Sequence, residues 1–197
     1  MSIKLGLTGS IGMGKSTTAG FFKAFGVPVW DADAVVHALY APMGAAVAEL
    51  ARIAPQATAG GFVDRNILKT LIRDDKTLLP KIESALKPIL AQSRSAFLHA
   101  NRAAPLVLFD IPLLYETDAE SWLDYVLVVT APPEVQKERV VARKNMDEKL
   151  FATILARQMP DAEKRALADF VFDTSRGMDH TKAEVKALIE KLEKENA

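Results

Sequence analysis

The chain has 197 residues, a length that fits one domain with room for inserts, and 49% of them are hydrophobic, enough for a sizeable core. Its 25 basic and 25 acidic residues balance, so no bulk charge favours nucleic acid or an anionic membrane. Cysteine is absent, which excludes disulfides and thiolate catalysis, and the three histidines do not have the spacing of a zinc site.

The N-terminal residues, MSIKLGLTG, lack the basic start and the long apolar core of a signal peptide. The apolar runs are too short to cross a bilayer. We therefore predict a cytoplasmic protein that has no membrane or nucleic-acid partner. A monomer is the expected state, with a small homo-oligomer as the alternative.

The first apolar run, residues 3–8, leads into a glycine-rich loop and predicts a buried strand. A helical pattern then begins at Lys15 and stops at Gly26. Its predicted apolar face consists of Ala19, Phe22 and Phe25. A second strand at 27–30 is interrupted by Pro28. Strand, helix and strand at this length predict a βαβ unit, and hence a parallel sheet.

The middle of the chain is predicted to be helical, with a short possible strand at Gly-Gly-Phe-Val-Asp. The predicted helices are 34–40, 44–52, 65–73 and 78–100. This stretch is neither rich in glycine and serine nor depleted in apolar residues. It is therefore interpreted as a helical insert and not as a linker.

Three further strands are predicted at 106–109, 125–130 and 170–172, and a last helix at 181–195. The apolar side of that helix is Val185, Leu188 and Leu192. Five short strands with helices between them predict a doubly wound α/β sheet, whose ligands lie at the carboxyl ends of the strands. The residues at those ends are 9–16, Asp31, Asp33, Asp110 and Thr130.

Residues 9–17, GSIGMGKST, have the spacing of the phosphate-binding loop, for which a ligand-free glycine turn is the alternative. The glycines let backbone N–H groups point at phosphate oxygens, and the following helix adds its positive end. We predict that Lys15 reaches the β- and γ-phosphates, that Ser16 ligates Mg²⁺, and that Thr17 reaches the α-phosphate. The other predicted nucleotide-binding residues of the loop are Gly9, Gly12, Met13 and Gly14.

The loop does not say whether the phosphate passes to water or to a metabolite. The D-x-x-G and N-K-x-D elements of a GTPase are missing, since Asp110 precedes Ile-Pro-Leu and residues 143–147 have the wrong order. A motor or a large ATPase needs a longer chain. These absences favour a small-molecule kinase with an acceptor pocket and a closing lid. The helical insert is the candidate pocket, and the charged stretch after the fourth strand is the candidate lid.

A kinase that phosphorylates a hydroxyl benefits from a carboxylate beside it, which positions the hydroxyl and takes its proton. Asp31 and Asp33 follow the second strand, and their spacing of two would place both on one side of an extended chain. Either is a candidate base, and capping of the next helix is the alternative for at least one of them.

Asp110 ends an apolar strand and is a candidate for orienting Mg²⁺ or its waters, with a turn cap as the alternative. Arg139, Arg143 and Lys144 follow the fourth strand at helical spacing. They would clamp the transferring phosphoryl group, where charge develops, or form a solvated basic face. The residues alone do not decide between these two interpretations.

Arg65, Lys69 and Arg73 fall on one helix face at i, i+4 and i+8. The stripe suits an anionic acceptor, although a solvated face is the favoured interpretation from spacing alone. His37 lies four residues after Asp33 and shares its face if a helix has begun by then. A histidine without a functional role is the favoured interpretation there.

Across nearly its whole length the chain resembles the dephospho-coenzyme A kinase family. The similar segments, in order, are GLTGSIGMGKST, VPVWDADAVVHAL, FVDRNILKTLI, LVLFDIPLLYE, VQKERVVAR and EKRALADFVFDTS. The resemblance implies a P-loop nucleoside-triphosphate hydrolase fold, with a five-stranded parallel sheet flanked by helices, a helical acceptor-binding insert and a lid. The predicted boundaries are 1–36, 105–140 and 159–197 for the core, 37–104 for the insert and 141–158 for the lid.

The resemblance also implies transfer of the ATP γ-phosphate to the ribose 3′-hydroxyl of dephospho-CoA, giving CoA and ADP in the last step of CoA synthesis. It implies Mg²⁺ as cofactor, with Ser16 and Asp110 as its predicted ligands. The implied catalytic residues are Asp33 as base, Lys15, Arg139 and Thr8, with Arg143 as a second phosphate clamp. The implied acceptor-binding residues are Asp31, Asp33, His37, Arg65, Asp110, Pro112, Leu113 and Leu114. The alternatives are another small-metabolite or nucleoside monophosphate kinase and a non-enzymatic nucleotide switch.

Two positions depart from the family pattern. Lys87 precedes Pro88 where the family commonly has histidine, and a lysine meets a phosphate as a point charge but cannot act as a neutral acceptor. Thr174 stands near the place where the family often has asparagine. Because of that difference, backbone groups are the candidates for hydrogen bonds to the nucleotide base, and the sequence does not distinguish ATP from GTP as the donor.

Overall fold

The computed structural model describes residues 2–144 and 146–195 and divides the chain into two compact units. We call Met1–Asp31 together with Asn101–Ala197 the core unit, and Ala32–Ala100 the helical unit. The helical unit begins at 32 and ends at 100, whereas the insert predicted from the sequence ran from 37 to 104. The difference arises because the chain becomes helical immediately after Asp31 and the long helix of the unit ends at Ala100.

Within the described residues, the core unit holds one five-stranded parallel sheet, as the sequence predicts. The strand order, which the sequence did not predict, is β2-β3-β1-β4-β5. Its strands are β1 (Ile3–Thr8), β2 (Val29–Asp31), β3 (Leu106–Asp110), β4 (Tyr125–Thr130) and β5 (Phe170–Asp173). Because all the strands are parallel, their carboxyl ends meet at one edge of the sheet, where ligands of doubly wound folds bind.

The helices are, in chain order, α1 (Lys15–Ala24), α2 (Ala32–Tyr40), α3 (Ala45–Ile53), α4 (Arg65–Asp74), α5 (Leu78–Ala100), α6 (Pro133–Val141), α7 (Glu148–Leu155), α8 (Asp161–Leu167) and α9 (Met178–Glu195). The predicted helices of the middle segment are confirmed, and α5 has the predicted bounds. These helices could be predicted because apolar residues recur at helical spacing within each one, a pattern that is visible in the local sequence.

The sheet is held by apolar side chains on strands that read as continuous hydrophobic runs. All five residues of β3 are buried, as expected for a parallel strand covered on both faces. The predicted apolar side of α9 packs into this core, with Val185, Leu188 and Leu192 buried. Each fully buried leucine or valine stabilises the fold by about 1.5–3 kcal/mol, so the strand ends that carry the site are rigidly placed.

Three local predictions are wrong. Phe25 lies beyond the last turn of α1 and is 37% exposed, so it does not extend the apolar face. Strand β2 begins at Val29 and not at residue 27, because Pro28 has no N–H to donate to a ladder. Among the described residues no strand forms at 60–64; instead Asp64 caps α4 by accepting hydrogen bonds from the N–H groups of Asn66 and Ile67.

The helical unit has a hydrophobic core of its own. Its buried residues are Ala46, Leu50, Ala54, Ala57, Val63, Leu68, Ile82 and Leu86. No single helix in the described part of the chain is long and apolar enough to span a membrane, although α2 and α3 together, bent by 71°, pass that test by length and composition.

Candidate active site

The loop between β1 and α1 has the backbone conformation that its glycines allow. Gly12 and Gly14 have φ angles of 83° and 90°, in the region that favours glycine. Gly14 is also the N-cap residue of α1, and among the described residues no side chain caps that helix end. A helix end without a capping side chain favours an anion, so the conformation suits the predicted phosphate site.

Lys15, from the phosphate loop, and Asp110 form an ion pair. Lys15 Nζ lies 2.5 Å from Asp110 Oδ1, and the Asp110 side chain is only 5% exposed. Asp110 is the last residue of β3 and stands in register with Asp31, the last residue of β2. The structure thus places two carboxylates at neighbouring strand ends and a lysine from the phosphate loop against one of them.

The phosphate loop borders a cavity of about 340 Å³, large enough for a small-molecule ligand. Arg139 and Arg143 line it together with Gly12, Gly14 and Thr17. The two predicted clamp arginines and the loop are therefore brought to one cavity, although 122 residues separate Thr17 from Arg139 in the sequence. Ser16 and Thr17 are exposed in the first turn of α1.

Thr174 holds Arg139 against the phosphate loop. Arg139 donates hydrogen bonds to Thr174 Oγ1 at 2.8 Å and to the Thr174 carbonyl at 2.9 Å. The Thr174 hydroxyl lies 2.9 Å from the Met13 carbonyl, to which it donates. A hydroxyl has a single hydrogen, so Thr174 keeps no donor for a base. Its side chain is 7% exposed and positions an arginine.

Three residues assigned to the site from the sequence have buried side chains. Thr8 is fully buried and donates from Oγ1 to the Pro112 carbonyl at 3.0 Å, so it holds the segment that follows β3 and does not line the cavity. Met13 is 3% exposed, and its sulfur lies 3.0 Å from the Ala131 nitrogen. Leu114 is fully buried over Gly6. Met13 can therefore meet a nucleotide only through its backbone, and Leu114 does not line the surface as Leu113 does.

The helical unit carries the other predicted residues. Asp33 lies in the first turn of α2, so the expectation of an extended chain through Asp31 and Asp33 is wrong. Because the helix has begun, Asp33 and His37 share a face as i and i+4, and both are exposed. Tyr40 follows three residues later on that face.

Arg65 is the first residue of α4, and its charge acts on Tyr40. Burial raises the pKa of Tyr40, and the Arg65 guanidinium opposes that shift. The helical unit thus brings Arg65 towards the face of α2 that carries His37. Lys69 and Arg73 are exposed farther along α4, and Arg73 pairs with its neighbour Asp74. Lys87 is exposed on α5.

Four polar residues of the core unit were missed from the sequence. Gln136 and Gln158 bond the two backbone polar groups of Ile11 in the phosphate loop. Glu116 and the fully buried Lys164 form an ion pair. Gln136, Gln158 and Lys164 lie in polar stretches that are typical of a solvated surface, whereas Glu116 ends the DIPLLYE segment, where the motif was the available signal.

A strand order of 2-3-1-4-5, with a glycine loop after the central strand and arginines beside that loop, defines a P-loop phosphotransferase. The chain belongs to the dephospho-CoA kinase family, whose model matches residues 3–180. It is 54% identical to a dephospho-CoA kinase of Cereibacter sphaeroides over 94% of this chain and 93% of the relative. It is 50% identical to a dephospho-CoA kinase of a Jannaschia species over 98% of each chain.

Solved structures agree on the fold. A protein of Thermus thermophilus superposes with a TM-score of 0.85 at 34% identity, covering 97% of this chain and 98% of that one. The dephospho-CoA kinase of Campylobacter jejuni superposes with a TM-score of 0.74 over the full length of both chains. At 22% identity the latter likeness concerns the fold alone.

Proposed function

We propose that the chain transfers the γ-phosphate of ATP to the ribose 3′-hydroxyl of dephospho-CoA, giving CoA and ADP. The observation that carries this proposal is the family match over residues 3–180, which spans both units. In the reaction, the bond between the 3′-oxygen and the γ-phosphorus forms and the bond from that phosphorus to the bridging oxygen breaks. The hydroxyl proton leaves to a base on the protein.

On the donor side, Lys15 supplies the charge that meets the β- and γ-phosphates. The ammonium lies at the carboxyl end of the sheet, 2.5 Å from Asp110, which fixes its place beside the phosphate loop. Arg139 is likewise held beside the loop by two hydrogen bonds to Thr174. Donors held in advance stabilise charge that develops in transfer without a cost of reordering.

Mg²⁺ would be held by the Ser16 hydroxyl and, directly or through water, by Asp110. The residues fit such an ion, because Mg²⁺ in kinases is bound by one or two protein oxygens together with phosphate oxygens and water. In residues 2–144 and 146–195 no cluster of three or more histidine, aspartate or glutamate side chains forms a cage for a metal. When bound, the ion would neutralise charge between the β- and γ-phosphates.

On the acceptor side, we assign the base to Asp33, whose carboxylate would take the proton of the 3′-hydroxyl. It is exposed at the start of α2, two residues after the end of β2. His37 shares its helix face, and Arg65 offers a guanidinium to an anionic or ribose group of the acceptor. Asp31, Pro112 and Leu113 complete the proposed acceptor contacts.

We also propose that 141–158 acts as a lid, that ATP is the nucleotide, and that the protein works in the cytoplasm as a monomer without nucleic-acid or membrane partners. A lid excludes water, which would otherwise compete as acceptor. Helix α7 lies in this segment, where an aspartate, Asp147, caps it through the Leu150 N–H. The balanced charge of the chain supports the absence of a nucleic-acid partner.

The test is mass spectrometry of dephospho-CoA after incubation with protein, Mg²⁺ and ATP, with the phosphorylation site located by fragmentation. We expect one added phosphate, on the 3′-oxygen. A parallel panel with nucleoside monophosphates, shikimate and no acceptor detects ADP release. Turnover of one of those compounds without turnover of dephospho-CoA would overturn the proposed acceptor, and nucleotide binding without transfer to any acceptor would indicate a switch protein.

A further inference from the structure

Both backbone polar groups of Ile11, in the middle of the phosphate loop, are bonded to glutamine side chains. Gln136 Nε2 donates to the Ile11 carbonyl at 2.7 Å. The Ile11 N–H donates to Gln158 Oε1 at 3.0 Å. Side chains thus take the place of the regular hydrogen bonds that a helix or a strand would offer. This residue of the loop is therefore held from two directions.

One glutamine precedes the proposed lid and the other is its last residue. Gln136 lies on α6, five residues before position 141, and Gln158 is the last residue of the segment 141–158. Gln136 is 6% exposed, and its helix packs directly on the loop, since a Cβ added at Gly12 would come within 2.5 Å of Val140. The helix that leads into the proposed lid and the last residue of that lid are thus both bonded to Ile11.

The Gln158 end is itself fixed. The next residue, Met159, donates from its N–H to Glu116 Oε1 at 2.7 Å. Thr130, at the end of β4, donates to Asp161 Oδ2 at 2.8 Å. The backbone beside Gln158 is therefore held in place by contacts to Glu116 and to Thr130 at the end of β4.

We propose that Gln136 and Gln158 are positioning residues, which hold Ile11 so that the loop keeps the shape that the phosphates of ATP require. The proposal rests on the proposed function in taking this loop as the ATP site. Gly12 and Gly14 leave the loop many other backbone conformations. The two hydrogen bonds select one of them, and they connect the loop to α6 and to the last residue of the proposed lid.

The experiment compares Gln158→Met and Gln136→Met with wild type, because methionine keeps the length of the side chain and removes its amide. Binding of ATP and of ADP is measured by titration calorimetry without acceptor, and KM is measured for both substrates. Each variant is expected to weaken ATP binding about fivefold, the effect of one lost hydrogen bond. The KM for dephospho-CoA should stay within error of wild type, and the Tm should fall by no more than about 4 °C, the shift that the loss of one hydrogen bond produces in a chain of this size.

Gln56→Met is the matched control, since Gln56 is exposed in the helical unit and the chemical change is the same. Gln158→Asn keeps the amide on a side chain that is one methylene shorter, and it should weaken ATP binding as the methionine variant does. The double methionine variant should show less than the product of the single effects, because both side chains act on one residue.

Unchanged or tighter ATP binding in the single variants would overturn the proposal, and so would an equal rise in both KM values with a larger fall in Tm, which signals general damage. Because calorimetry needs no acceptor, the two proposals fail separately. Wild type that binds ATP but does not phosphorylate dephospho-CoA would refute the acceptor alone. Active wild type with variants that bind ATP normally would refute the positioning role alone.

Discussion

Lys164 Nζ lies 2.8 Å from Glu116 Oε1, and the lysine side chain is fully buried. Glu116 is the last residue of the DIPLLYE segment, and it also accepts a hydrogen bond from the Met159 N–H. One carboxylate therefore joins the proposed acceptor segment to α8 and to the end of the proposed lid. A buried ammonium is tolerated here because it is paired with that carboxylate.

Replacing Lys164 is expected to destabilise the protein. Lys164→Met leaves Glu116, whose side chain is 17% exposed, without its cation, and removal of one partner of a buried pair costs about 3 kcal/mol. The control is Lys186→Met, because Lys186 pairs with Glu190 at 3.8 Å on the surface and should contribute less than about 1 kcal/mol. Urea unfolding at pH 7 measures both. Equal losses of unfolding free energy in the two variants would show that the buried ion pair stabilises the protein no more than a surface ion pair does.

The same pair predicts a pH dependence. Burial tends to raise the pKa of Glu116, but hydrogen bonds from Lys164 and from the Met159 N–H outweigh it and lower the pKa below 4.5. A carboxylate with a lowered pKa in the folded state contributes stability above its unfolded pKa, and loses that contribution as the pH falls through the folded pKa. The difference in unfolding free energy between wild type and Glu116→Gln should therefore shrink below about pH 4.5. A difference that widens on acidification would contradict the assigned direction.

Asp33→Asn tests the proposed base. The amide keeps the size of the side chain but cannot take the proton, so kcat should fall about a hundredfold or more. ATP binding should be unchanged, since Asp33 belongs to the acceptor side. Asp74→Asn is the control, because Asp74 is exposed in the same unit. Steady-state kinetics and calorimetry give both quantities. A kcat near wild type would move the base elsewhere, with Asp31 as the next candidate.

Lys15→Met should lower kcat about a hundredfold and weaken ATP binding, because it removes a charge held ready for the developing negative charge. Lys23→Met is the control, since Lys23 is exposed in the last turn of the same helix. Turnover and nucleotide binding are measured for both variants. If Lys15→Met binds and turns over like Lys23→Met, the ion pair with Asp110 is structural only.

Thr174→Val tests whether this residue positions Arg139. Valine has nearly the same shape, but it neither accepts from Arg139 nor donates to the Met13 carbonyl. The KM for ATP should rise about fivefold. Thr58→Val removes another buried hydroxyl, which donates to the Pro55 carbonyl at 3.1 Å, and it should leave that KM unchanged. An unchanged KM in Thr174→Val would mean that the carbonyl contact alone holds the arginine.

Much of the fold was accessible from local patterns. The spacing of apolar residues, the positions of the glycines and the helix stop signals predicted the phosphate loop, all five strands and the helices of the middle segment. The predicted and observed bounds of α5 are identical. The errors lie where a neighbouring group overrides the pattern. Pro28 shortens β2, the first turn of α2 takes Asp33 off an extended path, and Asp64 caps a helix instead of ending a strand.

The polar contacts that shape the site were not predictable in the same way. Gln158 lies 147 residues from Ile11, Thr174 lies 161 residues from Met13, and Lys164 lies 48 residues from Glu116. Periodicity reports on neighbours within a turn or two and carries no information about a partner at that distance. In a polar stretch, a glutamine or lysine that will be buried looks the same as one that stays in water.

The sequence by itself determined the class of chemistry, because a phosphate loop requires glycines, a lysine and a serine at fixed spacing, and such spacing is local. It also determined the family, through six motifs in order. Only the tertiary structure decided which side chains are free to meet a ligand. The side chains of Thr8, Met13 and Leu114 are buried and cannot meet a ligand. Thr174 and Gln158 instead make long-range hydrogen bonds that position other residues of the site. Burial and long-range hydrogen bonds both depend on which distant segments of the chain pack together.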